Sequence, residues 1–269
     1  MKLTKFMAAT AVAFAFGTFA FAESAYDVIK KQSTLKAPET SQAIMLMDNI
    51  EKNGTVEHRI MNQYGNRKNG LINTVFEFKT PASVKDTRVL QQEKTAKEDD
   101  RWIYVPSMKT VRRIPTGERY KQFVGCEFTY NDMAIRHVDA DDHEMLDENA
   151  TATIKGKTYN CFKIKSVPHK KSEVEYSYRI QYIDKVSYLP MMIEYYDKKD
   201  QSKMGKHYTT DGYREIKTAK GAYWFREGAT IENVLTGRKT VLTIKDVKFD
   251  EGISDAYFTQ SWLQTGKAK

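Results

Sequence analysis

The run from Trp102 to Ile114 constrains this chain more than any other stretch. Trp102–Val105 and Thr110–Ile114 are β-branched and aromatic, and Pro106-Ser107-Met108-Lys109 stands between them. Proline presets φ for the second position of a tight turn, so the pattern predicts an antiparallel hairpin. Alternation sends Trp102 and Tyr104 to one face and Ile103 and Val105 to the other. Both faces are apolar, so the hairpin must be covered on both sides or line something. Gly125–Met133 must then leave the sheet and lie across it.

The rest of the chain repeats the strand pattern. Met45 and Met47 alternate with Ile44 and Leu46, and Asn53-Gly54 is a hairpin signal leading to a strand over 55–64. A loop is expected over Gly65–Gly70, then strands over 71–79 and 87–93. After the hairpin, strands are expected over 157–167, 175–184, 190–196, 206–216, 222–234 and 239–249, with Gly212, Gly221 and Gly237 at or near the bends. The cleanest alternation sets Tyr176, Tyr178, Ile180 and Tyr182 against Glu175, Ser177, Arg179 and Gln181. The aromatic set is expected to face inward and the polar set to face water. Helices are expected only at Ser24–Lys31, with Tyr26 and Ile29 inward, and near Trp262, where Ser254 suits an N-cap. About a dozen strands must curl or split into two layers.

Residues 1–22 read as an export signal. Lys2 and Lys5 precede an apolar core from Phe6 to Phe16, and Ala20-Phe21-Ala22 is a small-x-small cleavage site. The mature chain, 23–269, is expected to be one soluble periplasmic domain. Its formal charge falls from +8 to +6 without the two leader lysines, a mildly basic balance with dispersed charges. Neither the charge pattern nor any motif points to nucleic acid.

Little in the sequence looks catalytic. Asp139, Asp141, Asp142, His143 and Glu144 form the most enzyme-like group, but their spacing fits neither an EF-hand nor a helical zinc motif. They are expected to be a solvated loop, and neither catalytic residue, metal nor cofactor is assigned. Cys126 and Cys161 are the only cysteines; a disulfide and two buried thiols both remain open. One of Arg112 and Arg113 must meet the rim of the apolar side, where Asp132 and Glu127 are available as partners.

The motif W-I-Y-V-P-S-M-K-T-V-R-R-I, followed by G-C-E-F-T-Y-N-D-M, resembles a signature of periplasmic outer-membrane lipoprotein-sorting proteins, similar to the LolA/LolB carriers. The resemblance implies a mainly β (α+β) fold: a large curved antiparallel sheet, or incompletely closed barrel, with a few helices as lid. It implies a non-catalytic carrier that holds lipid, or the acyl chains of lipoproteins, in an apolar cavity for transfer towards the outer membrane. An inner-membrane transporter or an outer-membrane acceptor would be its partner. The cavity residues expected on this basis are Phe76, Phe78, Trp102, Tyr104, Tyr178, Ile180, Met191, Ile193 and Trp224 on the sheet, with Phe128 and Met133 from the lid. Arg112, Arg113 and Asp132 are expected at the mouth. Two other classes stand beside the carrier: an envelope interaction module with a filled core, and a metal-assisted hydrolase using Asp139–Glu144.

Overall fold

The computed structural model describes residues 23–95 and 98–268; the expected leader, 1–22, lies outside them. The thirteen strands among the described residues all join one antiparallel sheet. They are β1 (Thr40–Ile50), β2 (Val56–Lys68), β3 (Leu71–Thr80), β4 (Arg88–Gln92), β5 (Asp100–Val105), β6 (Thr110–Arg113), β7 (Asp141–Ile154), β8 (Lys157–Pro168), β9 (Tyr176–Asp184), β10 (Pro190–Asp197), β11 (Met204–Thr218), β12 (Gly221–Asn233) and β13 (Arg238–Phe249). The order is a meander from β6 back to β1, then β13 back to β7. The two outermost strands, β6 and β7, are therefore consecutive in the chain. The strap between them, residues 114–140, crosses from one edge of the open sheet to the other.

The strap sets which face is inside. Its Phe123, Cys126, Phe128 and Tyr130 pack in one cluster with Met45, Met61, Phe76 and Ile103 from one half of the sheet. The same cluster takes Ile193, Tyr208, Ile231 and Leu242 from the other half. One narrow segment touches both halves only because the sheet curls around it. Gly212 of β11 and Gly228 of β12 pair at an irregularity in mid-strand, so Gly212 marks a bulge rather than a turn. A Cβ on Gly228 would stand 2.5 Å from the Leu242 carbonyl oxygen, an approach only glycine permits.

Two helices cap the sheet. Helix α1 (Ala25–Ser33) is N-capped by Ser24, whose hydroxyl accepts from Asp27 N at 3.1 Å. It buries Ala25, Val28 and Ile29 against Phe162, Ile164 and Ile183, while Tyr26, expected inward, is exposed. Helix α2 (Gln260–Thr265) follows a 3₁₀ turn at Asp255–Phe258. The side chain of Ser254 caps that turn, and Thr259 caps α2. Phe258, Trp262 and Leu263 cover the outer face of β3–β6, packing on Val75, Leu90, Trp102 and Tyr104.

Several expectations are corrected here. Residues 65–68 continue β2, and the turn is confined to Asn69-Gly70. Of the acidic group expected as a loop over Asp139–Glu144, Asp141 to Glu144 open the edge strand β7 and Asp139 lies in the 3₁₀ turn before it. The cavity is covered by a strap with 3₁₀ turns at Thr116–Glu118, Phe123–Gly125 and Val138–Ala140; no α-helix lies in it. Cys126 and Cys161 are both buried free thiols.

Because Trp262 is buried in the cover over the outer face of Trp102 and Leu90, Trp262→Ala should cost about 3–5 kcal/mol of stability. Urea unfolding of the variant against the parent checks this.

Candidate functional site

Between strap, sheet and the segment after α1 lies a cavity of about 490 Å³, within the general range of small-ligand sites. Its sheet wall includes Met45, Phe76, Ile193, Tyr208, Leu242 and Ile244, and the strap adds Phe128 and Met133. Gly228 and Ala229 line it too, and the small Ala229 side chain leaves room that a larger one would fill.

The cavity brings together only part of the expected set. Phe76, Phe128, Met133, Ile193 and Trp224 line it, as does Asp132. Phe78 is fully buried in the adjoining core beneath the strap. Met191 is fully buried beside Cys161 and Leu189. Trp102 and Tyr104 must be corrected: they point to the outer face, under α2. Their neighbour Ile103 points in. The hairpin is apolar on both sides, so its alternation separates two faces without ranking them.

Tyr178 and Ile180 are likewise corrected. Arg179 and Gln181 line the cavity, so the residues alternating with them face away. Tyr178 stacks on Tyr196 at 4.4 Å, outside. Ile180 packs beside Tyr182 and Met192. Around Arg179 and Gln181 the polar side of the cleanest strand is the inner one, while Tyr176, expected inward, does line the cavity. Arg112 reaches the strap through Glu118 at 3.4 Å, on an exposed site, and Arg113 pairs with Asp100 at 2.9 Å. Neither meets Asp132, which accepts from Thr129 N and Oγ1 and, at 3.3 Å, from the Tyr195 hydroxyl.

Two polar clusters that the sequence reading missed hold the strap. The first centres on Glu127, which is 2% exposed. Its carboxylate accepts from Asn233 Nδ2 at 3.1 Å and Gln122 Nε2 at 3.0 Å, and stands 3.3 Å from Arg238. Its backbone N–H donates to Thr240 Oγ1 at 2.9 Å, and its carbonyl accepts from Lys206 Nζ at 2.7 Å. Lys206 also pairs with Glu175 at 2.9 Å. Burial pushes the Glu175 carboxyl up to about 7, against the opposing pull of Lys206, with Asp132 and Glu127 adding to the rise.

The second cluster contains Asp141, which is 4% exposed. It accepts from Arg136 Nε at 2.8 Å and from Arg179 at 3.2 Å. Burial works to raise its carboxyl, but Arg136 and Arg179 outweigh it and hold the group below the usual carboxylate range. His143 bridges Ser166 Oγ and the Val138 carbonyl oxygen, both at 2.9 Å. Asp142 turns out to His169. Asp139 accepts from the Tyr26 hydroxyl at 2.9 Å, so the acidic group diverges into four separate sets of partners. Among the described residues no three His, Cys, Asp or Glu side chains could hold a metal ion.

A protein-family model described as "-like: Uncharacterized protein" matches residues 70–265. No curated protein matches the sequence. Among solved structures, an outer membrane lipoprotein-sorting domain from Vibrio parahaemolyticus, so named, superposes with a TM-score of 0.77 at 24% identity, covering 89% of this chain and 98% of that one. A DUF1329 family protein from Desulfovibrio piger gives 0.76 at 26% identity over 89% and 97%. A LolA superfamily protein from Nitrosomonas europaea gives 0.64 at 16% identity over 90% and 100%. This chain has the same mainly β, incompletely closed architecture.

Two outcomes follow from the clusters. Asp141→Asn strands two arginines beside a lost charge and should cost about 3–5 kcal/mol, read from denaturant midpoints. A carboxyl raised in the folded state contributes stability that is fully present below its ordinary pKa and lost as pH rises through the raised value. Stability of the parent relative to Glu175→Gln should therefore fall between about pH 4.5 and 7. Melting temperatures of both proteins across that range give the test, and parallel curves would contradict the assignment.

Proposed function

We propose that this chain, which belongs to the LolA-like family whose model spans residues 70–265, is a carrier. Its ligand would be lipid, or the acyl chains of lipoproteins. It works without catalysis in the periplasm after cleavage of residues 1–22, and it passes its ligand towards the outer membrane. The observation that carries this reading is the cavity of about 490 Å³ under the strap, with Phe76, Phe128, Met133 and Ile193 on its walls. An acyl chain placed there gains about 0.8 kcal/mol for each methylene removed from water. Methionine suits such a wall because its unbranched side chain adapts to an irregular chain.

The fold supports the same reading. The strap is a single segment tied at both sheet edges, so loading requires a chain to enter beside it rather than through a closed core. Its buried anchor at Glu127 keeps the inner apolar face covered. The partners consistent with this reading are an inner-membrane donor and an outer-membrane acceptor, with the acyl chain handed from one to the other.

Mass spectrometry of the natively purified protein should find a bound amphiphile. Met133 lines the cavity and is half-buried, so Met133→Trp should fill space with little harm to folding. The substitution should weaken binding of a fluorescent fatty-acid probe by about tenfold or more, with the melting temperature near that of the parent. A parent that binds neither native lipid nor probe would leave the fold without this function.

A further inference from the structure

Seven buried side-chain polar atoms have no hydrogen-bond partner among the described residues, and they are not scattered. Five belong to cavity-lining residues: both amide atoms of Gln91, Asp99 Oδ1, Arg179 Nε and Gln181 Oε1. The other two are Arg101 Nε and Arg119 Nε. These two guanidinium groups adjoin Asp99: Arg119 donates to its carbonyl oxygen, and Arg101 stands 3.8 Å from its carboxylate. A buried polar atom left unpaired is costly, and native proteins leave few of them. Such a concentration around one cavity, on β4 and on β9, calls for a ligand that completes the bonding.

Gln91 is the sharpest case. It is 6% exposed, sits in β4 between Thr74 of β3 and Arg101 of β5, and lines the cavity with neither amide atom bonded. Its Nε2 needs an acceptor and its Oε1 needs a donor. A hydrocarbon supplies neither, and a simple ester supplies only acceptors. Arg101 is fixed by its bond to the Tyr130 carbonyl oxygen at 2.6 Å, so it cannot swing over to satisfy Gln91.

We propose that Gln91 marks a headgroup subsite, and that the cavity takes acyl amphiphiles whose polar junction both donates and accepts hydrogen bonds, as an amide or a hydroxyl-bearing glyceryl head does. This rests on the carrier reading and narrows its ligand. Polar heads favour water over an apolar hole, so a preference for them has to come from the protein's own partners.

The test uses three probes with the same chain: oleamide, monoolein and methyl oleate, the last an acceptor-only ester. Each displaces a fluorescent fatty acid from the mature protein. Oleamide or monoolein should bind about tenfold or more tightly than methyl oleate, and the tighter of the two identifies the head. Gln91→Leu removes both unmet atoms at similar volume and should erase the preference while melting no lower than the parent. Gln91→Met serves in the same way should the leucine variant fail to fold. Equal binding of all three probes by the parent, or a preference that survives in the variant, overturns the subsite while leaving the carrier intact. Absence of binding by any probe overturns the carrier reading and this inference with it.

Discussion

The structure depends on one buried carboxylate. Glu127 lies under the strap, where an unpaired charge would cost several kcal/mol. Here Asn233 and Arg238, from the β12–β13 end of the sheet, join Gln122 of the strap itself around it. Lys206 of β11 holds the same residue by its carbonyl. These contacts fix where the strap crosses. Nearby, Arg59 of β2 donates to the Val124 carbonyl at 2.6 Å, so both halves of the sheet grip the same few residues. With the strap placed, Phe123 and Phe128 reach the core between them, and the inner face is defined.

The interior that results is amphipathic. Methionine, phenylalanine and isoleucine line one part of it, while Arg136, Arg179, Gln181 and Asp132 line another. A core built only to be filled would not carry so many polar groups. These polar groups stand beside open space rather than in a closed centre. Neighbours named for lipoprotein sorting and for the LolA superfamily share the architecture, while the polar wall described here is read from this chain's own residues.

Strand positions were largely legible in the sequence, because turn residues and alternation report the local backbone directly. The Trp102–Ile114 hairpin and most of the meander lie close to where the pattern puts them. Facing was harder to read. In β9 the alternation puts the tyrosines and Ile180 in the interior, yet only Tyr176 of that set lines the cavity. Arg179 and Gln181 line it further along, since their partners come from distant residues such as Asp141 and Ser166. In β5 both sides are apolar because α2 buries the outer one, and nothing local announces a helix from the far end of the chain. Strand β7 was missed for a related reason. Asp139–Glu144 looks solvated until Arg136 and Arg179 are brought to Asp141 by the fold. Of the cavity set, Phe76, Phe128, Met133, Ile193 and Trp224 were named from sequence, whereas Gln91 carried no signal of its own.

The place of β1 in the sheet bears on how the molecule assembles. β1 is the first strand made, yet its two neighbours are β2 and the last strand, with Ser41 opposite Phe249 and Ile50 opposite Lys239. Closing that seam joins residues about two hundred positions apart, and pairings of such separation form slowly. Until β13 arrives, β1 presents a free backbone edge beside Met45 and Met47, the arrangement that recruits foreign strands. A chain threaded through a membrane from its N-terminus would emerge with this edge first and its partner last. Such a chain would have its longest exposure to misassembly before β13 arrives, when the strap has nothing complete to cover.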